Sequence, residues 1–373
     1  MKYNTVNNII GLILIICAPL VLLNAFSLIT NELILSVLKF FLVGIGILLI
    51  PFQSYKIKNK LDLYLYIFIF YIVILTIVNR SFIEIEYSIL YVIPFLLFFI
   101  RKKEAFQVTF FELKYFIIII LMAFVMLVMT PKIIFAGREI FMPIINGPHT
   151  TTYSILIFYF FIFLGYQKNM LTKITFFFIT IIVFVIVFGY KARNAELALI
   201  MFFTTYYFYK SKLDNNLRNI ILFLLFNIFL FLIYAINVFY NPDWNEISSG
   251  RLFVWLERIN IALSYEWEKL LLGGGYGADL MYTTQWWWEK KASHNDLLSL
   301  VFNSGLFSLI LFLVIVSKLF QFSNNFQKAI LVFLIVTSLT NTGYLGRPIQ
   351  FFYLVIIYIA ANSSDSKKDR YCE

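Results

Sequence analysis

The chain holds only two histidines, and one of them, His294, lies in "KKASHNDLLSLVFNSGL", where a charged loop turns into a long apolar run. Imidazole is the side chain whose ordinary pKa puts a usable base near neutral pH. Ser293, Asn295 or Asp296 can cap a helix starting at Leu297. His294 is then set against a helix N-terminus, whose dipole disfavours imidazolium and keeps the ring neutral, as a general base at pH 7 must be. A nearby diphosphate would push the other way, and a capping or interface role is the alternative. His149, in "NGPHTTTYS", sits similarly before another apolar run. The other reactive groups are cations: Arg138, Lys191, Arg193, Arg251, Arg258 and Arg347 all fall near the ends of apolar runs or in one long loop. A guanidinium stays charged and its planar fork binds two phosphate oxygens at once; for any one of them, a solvated loop cation is the alternative.

The elements that must position these groups are helices. "SSGRLFVWLERINIALSYEWEKL" predicts a helix with Ser249 as N-cap and Gly273 to Gly275 as its stop. Arg251, Trp255, Arg258, Ala262 and Tyr265 share one face at helical spacing, and Leu252, Leu256, Ile259 and Leu263 line the next. One stripe seats the helix in a membrane interface, the other presents two guanidiniums and an indole; a helix that merely covers the bundle is the alternative. "GGGYG" at 273–277 predicts a sharp, flexible turn; with no strand before it, it is no dinucleotide fingerprint. "WWW" at 286–288 fits an interfacial belt or a platform for sugar rings.

The surroundings are apolar. Of 373 residues, 61% are hydrophobic and 13% charged, against roughly 25% charged in soluble domains; mean hydropathy is +0.86. Runs long enough to cross a core of about 30 Å recur throughout, which predicts an all-α polytopic membrane protein, because lipid offers backbone groups no other partner. About twelve spans are expected, near 9–29, 33–52, 63–79, 85–100, 115–130, 150–166, 174–190, 195–210, 219–240, 297–317, 327–342 and 348–362. The first reads as a retained signal anchor. Residues 104–114 are too polar to span and suggest a helix lying on the interface. Cys17 and Cys372 are placed where they can build neither a staple nor a metal site. Alternate loops collect about 18 of the 30 basic residues, which makes that side cytoplasmic, with both termini inside. The net charge of +10 is therefore a topology signal and no nucleic-acid footprint. The whole of 1–373 is one integral membrane domain, with a long external loop at 241–295 that holds all six tryptophans.

In order, "GYKARNAELAL", "GRLFVW", "LLLGGGYG" and "HNDLLSLVFNSGLFSLILFL" resemble the signature of the O-antigen ligase/polymerase family, which comprises Wzy-type polysaccharide polymerases and lipid A-core O-antigen ligases. That signature is Arg-x-x-x-Trp (Arg251, Trp255), a Gly-rich turn (Gly273 to Gly277), then His-Asn opening a helix (His294, Asn295) with a glycine some ten residues on (Gly305). Lys191 stands where a serine is usual, Arg193 keeps the family's arginine, and "GREIFMPIINGPHTTTYS" is similar to the loop before the sixth span. The resemblance covers roughly 135–317. It implies a GT-C-type glycosyltransferase in the bacterial inner membrane, its site facing the periplasm. Donor and acceptor would be undecaprenyl-diphosphate-linked oligosaccharides, joined with inversion, with no metal or other cofactor. Arg193 and Arg251 match the arginines taken to hold the diphosphate, and His294 the residue proposed to deprotonate the acceptor hydroxyl. Arg138, His149, Lys191, Trp255, Arg258, Asn295 and Arg347 are accessory glycan or diphosphate contacts. The resemblance favours polymerase over ligase and implies a chain-length regulator as partner. A lipid-linked oligosaccharide flippase is the rival of another class, and an inactive scaffold the blandest reading.

Overall fold

The computed structural model describes residues 60–79, 91–99, 110–129, 131–135, 138–141, 148–211, 250–340 and 347–361, with a few isolated positions besides. The expected spans near 9–29, 33–52 and 219–240, the anchor reading, the two cysteines and both termini lie outside these residues, isolated positions apart. Among the described residues the protein is mostly helical. In chain order the elements are α1 (Lys60–Asn79), α2 (Phe110–Met129), the strands β1 (Lys132–Phe135) and β2 (Arg138–Phe141), α3 (Pro148–Gln167), α4 (Lys173–Gly189), α5 (Arg193–Lys210), α6 (Arg251–Leu263), α7 (Trp267–Leu272), α8 (Asp296–Gln321), α9 (Asn325–Thr340) and α10 (Pro348–Ala361). Two departures from expectation fall here. Phe110 to Lys114 belong to the long helix α2 and form no separate interface helix. The hairpin β1–β2, in register Lys132↔Phe141 and Phe135↔Arg138, follows from isoleucine-rich, charge-flanked segments too short to hold a helix.

Helix α3 is the axis. Every residue from Thr151 to Gly165 is buried, as expected of a helix that is apolar all round and surrounded by others. Gly165 lets α2 approach: a Cβ there would meet Leu113 at 2.4 Å. On its other side, aromatic rings interdigitate with α5 and α9: Phe160 lies 4.7 Å from Phe202 and 4.8 Å from Phe333, edge to face in the second case. Such pairs add about 0.5–1.5 kcal/mol each beyond the area they bury. The peripheral helices stay apolar outside. On α4, Ile179, Val183 and Ile186 face the core while Ile174, Phe177, Phe178, Ile181 and Val185 are exposed. That pattern is compatible with a membrane environment. Lys60–Val78 and Asp296–Gln321 are long and apolar enough to cross one, and five shorter apolar helices accompany them.

The bundle has two chemically different ends. At one, Lys168 donates to the carbonyl of Ala360 (3.3 Å), Asn324 to that of Ala361 (3.1 Å), and Lys328 lies over the Tyr209 ring. At the other gather the starts of α3, α5, α6, α8 and α10 with the end of α9.

Helix α8 is broken. Gly305 has φ +79° and ψ 170° inside it, which opens the backbone ladder at carbonyls 302 to 304. The Gly-rich turn fills the gap: Gly274 N–H donates to Phe302 O (2.8 Å) and Gly275 N–H to Asn303 O (3.1 Å). The Tyr71 hydroxyl of α1 donates to Ser304 O (2.9 Å). Inside a bundle every backbone group must find a partner, so the break and the turn are one structure. The approach demands glycine on both sides: a Cβ on Gly305 would lie 1.9 Å from Leu271 O, and one on Gly273, itself at φ +80°, 2.6 Å from Gly305 N. The turn read as flexible is a packed wedge.

Candidate functional site

The long loop and α6 fold around one buried ion pair. Arg258, fully buried, pairs with the Asp279 carboxylate and donates to Asp279 O (2.5 Å) and Lys291 O (2.6 Å). The other Asp279 oxygen accepts from Ser293 N–H (2.9 Å), Ser293 Oγ (3.1 Å) and Ser299 Oγ. Burial raises the Asp279 carboxyl, while Ser299 and Arg258 pull it back. Met281 and Lys291 bridge by their backbones, and Glu257 on α6 accepts from Thr284 N–H (3.0 Å) and Oγ1 (2.8 Å). Arg258 departs from its sequence reading: both terminal nitrogens of its fork are engaged inside the loop, and only its buried Nε is without a hydrogen-bond partner.

This scaffold presents His294. The residues on either side are buried and tied down. Ser293 is held by Asp279 and by Trp255, whose indole N–H donates to Ser293 O (2.8 Å). Asn295 is the N-cap of α8, accepting from Leu297 N–H (3.0 Å) and Leu298 N–H (3.1 Å), and its amide donates to Leu339 O (2.9 Å). Between these anchors His294 adopts φ +52°, a left-handed conformation that costs on the order of 1–2 kcal/mol. Its half-buried ring lies edge-on to Trp286, centroids 5.2 Å apart. Two accessory readings change accordingly: Trp255 and Asn295 spend their polar atoms fixing the histidine's loop. Of the triple tryptophan only Trp286 belongs here; Trp287 and Trp288 are exposed.

The end of α9 is a hub. Its last carbonyls have no intrahelical donors. Thr340 O accepts from Arg251 Nη1 (3.2 Å) and Asn194 Nδ2 (2.8 Å), beside the Asn295 contact to Leu339 O. Arg251 therefore stands at the mouth of α6, α5 and α8 together. Gly250, not Ser249, is the N-cap of α6, without a side-chain bond. The predicted single helix breaks at 264–266 into α6 and α7, which takes Tyr265 off the shared face and sets its ring against Phe302. The exposed stripe of Leu256, Ile259 and Leu263 is as expected.

His149, in the first turn of α3, joins the same place. Burial and the charges of Arg251 and Arg347, then of His294, push its ring down to about 3. His294 is pushed down to about 4 by burial, then by Arg251, Arg347, Lys291 and Arg258. Burial also lowers Arg251. Nδ1 of His149 is buried without a hydrogen-bond partner. The Arg347 guanidinium lies 5.1 Å over the Tyr153 ring. Two imidazoles and two guanidiniums thus share one half-buried place. Arg193 and Lys191 lie at the same end, exposed. Arg138 pairs through its backbone in the hairpin; its side chain lies outside the described positions. Among the described residues no three His, Cys, Asp or Glu side chains gather as a metal site.

Sequence reasoning missed Asp279, Thr340 and Tyr153, and took Ser293 only as a candidate cap and Trp286 only as one of three tryptophans. The three missed residues carry no local signal, except that Asp279 is a lone acid in an apolar stretch with an arginine 21 residues before it. No protein-family model matches the chain, and no curated protein matches it.

Proposed function

We propose that the protein is a membrane glycosyltransferase of the polysaccharide-polymerase kind, joining undecaprenyl-diphosphate-linked repeat units at the outer leaflet of the bacterial inner membrane. The observation that carries this reading is that His294, at φ +52°, is anchored through Asn295 to the same end of α9 that Arg251 reaches, at the bundle end opposite Lys168 and Lys328. In the reaction, an acceptor sugar hydroxyl attacks the anomeric carbon of the donor. Its oxygen forms the new glycosidic bond, its proton passes to the His294 ring, and the bond from the anomeric carbon to the diphosphate breaks with the electron pair leaving on the phosphate oxygen. The imidazolium then returns its proton to solvent. A diphosphate leaves well if its growing charge is met, and a fixed guanidinium in a place shielded from water meets it without reorganising. Bringing two lipid-tethered glycans together at one face supplies much of the remaining acceleration. Arg251 acts on the leaving group, Arg193 guards the rim, and a chain-length regulator would act from outside this machinery.

Losing the base costs about 10²–10⁴-fold. In a strain lacking the native gene, His294→Ala is expected to leave single-repeat glycan on the core; a normal ladder of chain lengths would end the assignment. The deletion strain separates the related activities: core capped by one repeat means polymerase, bare core means ligase. Translocation of glycolipid in liposomes without elongation would mean a flippase.

A further inference from the structure

We propose that α7 and the Gly-rich turn behind it form a re-entrant element, sunk into the leaflet on the His294 side with Leu271 and Leu272 against lipid acyl chains. This rests on the membrane reading of the chain and not on its enzymatic one. It departs from the expectation that 241–295 lies wholly outside.

The first observation is depth. The Tyr71 hydroxyl lies 2.9 Å from Ser304 O and 3.3 Å from Leu271 O, so α1, α8 and the end of α7 meet at one point. Tyr71 is at least eight residues from either end of α1, and Ser304 is eight residues beyond the start of α8. At about 1.5 Å per residue, that junction lies about 12 Å inside each helix, and half of a bilayer core is about 15 Å. Both α1 and α8 contain stretches long and apolar enough to cross a membrane, so the end of α7 is at membrane depth. The second observation is continuity. Leu271 and Leu272 are exposed, and so are Phe70 and Ile74 on α1 and Phe307 and Ile310 on α8. The Phe307 ring packs edge-on to Tyr71, centroids 4.9 Å apart, so the three exposed faces adjoin at this junction. One apolar surface shared with two helices of spanning length faces one solvent, and that solvent is lipid.

The backbone and the charges agree. Irregular backbone is tolerated at membrane depth only where protein or a water-filled cavity satisfies it. Here protein does: Gly273 N–H donates to Lys269 O (2.9 Å), and the next two N–H groups are taken by Phe302 O and Asn303 O. Charge also falls along the descent. Glu266, Glu268 and Lys269 come first, then Leu270, Leu271 and Leu272. The Lys269 ammonium turns back over the Tyr265 ring, 4.1 Å from its centroid, as a long cationic side chain does when its stem covers apolar surface and its head stays near the interface.

The test uses full-length protein in lipid nanodiscs, with Cys17→Ser and Cys372→Ser so that one introduced cysteine carries a nitroxide. Its collision partners are oxygen, which concentrates in the bilayer, and a water-soluble nickel chelate. Leu272→Cys is expected to lose nickel collisions and gain oxygen collisions relative to Trp287→Cys, and to match Phe70→Cys on α1. If Leu272→Cys does not fold, Leu271→Cys repeats the measurement with the same expectation. Nickel collisions as frequent at residue 272 as at residue 287, with residue 70 shielded, overturn the proposal while leaving the membrane reading in place. Free nickel access at residue 70 as well removes both. A label at residue 272 shielded from nickel and oxygen alike means that protein, such as a second copy of this chain, covers the face, and overturns the lipid assignment.

Discussion

Arg251 and Arg258 are the same residue type, seven positions apart on one helix, and they do opposite work. Arg258 is fully buried against a carboxylate and two carbonyls. Arg251 is half-buried, with one helix-end carbonyl as its hydrogen-bond partner among the described residues. One guanidinium is consumed in folding the loop; the other stands beside two imidazoles and a second guanidinium. Helical periodicity brings both to one face, and only their surroundings tell them apart. A buried charge paired with a carboxylate is structure, whereas a cation gathered with other cations is a place for an anion.

The largest effect should come from breaking the satisfied pair. Arg258→Ala or Asp279→Ala leaves a buried charge alone, which typically costs about 3–5 kcal/mol, and is expected to lower Tm in detergent sharply. Arg251→Ala should leave Tm nearly unchanged while abolishing glycan elongation. Equal Tm losses at both arginines would erase the contrast. Next comes the wedge beneath the site. Gly305→Ala places a Cβ against Leu271 O at a left-handed φ; overpacking of this kind costs about 1–3 kcal/mol, read as a lower Tm and a smaller folded yield.

A smaller effect should appear with pH. Both histidines have folded pKa values of about 3 and about 4, below the unfolded value of about 6.5. The unfolded chain then binds more protons below about pH 6.5. The contribution of the neutral rings is intact above that pH and is lost as pH falls toward 4. Comparing Tm at pH 7 and pH 5, the drop should be smaller in His294→Gln than in the parent; an equal drop would show that the ring is not held neutral. The acid limb of kcat/KM, which reports the free enzyme's base, should lie nearer pH 4 than 6.5. The smallest effect is expected at Trp287, 74% exposed. Trp287→Ala should change Tm little, as surface substitutions do, within about 0.5 kcal/mol. A parallel loss of elongation would turn this ring from an interfacial residue into a glycan contact.

Much of this was legible. Apolar runs marked the helices, because length and hydropathy are local properties. A cap among Ser293, Asn295 and Asp296, and His294 at a helix mouth, followed from residue types at short range; the structure chose Asn295. Other features were not legible. The break in α8 depends on Gly274 and Gly275 reaching carbonyls some 28 residues away. Trp255 and Asn295 looked like ligand contacts, since nothing in their spacing reveals that Ser293 and Leu339 will take their polar atoms.

Sequence alone determined that this chain folds as apolar helices and that its rare imidazoles, with Arg193, Arg251 and Arg347, lie at helix ends, because periodicity and capping act within a few residues. Tertiary structure alone decided which arginine is spent and which is poised. A guanidinium's role is set by the acceptors packed around it, and Asp279, Thr340 and Tyr153 reach these arginines from 21, 89 and nearly 200 residues away.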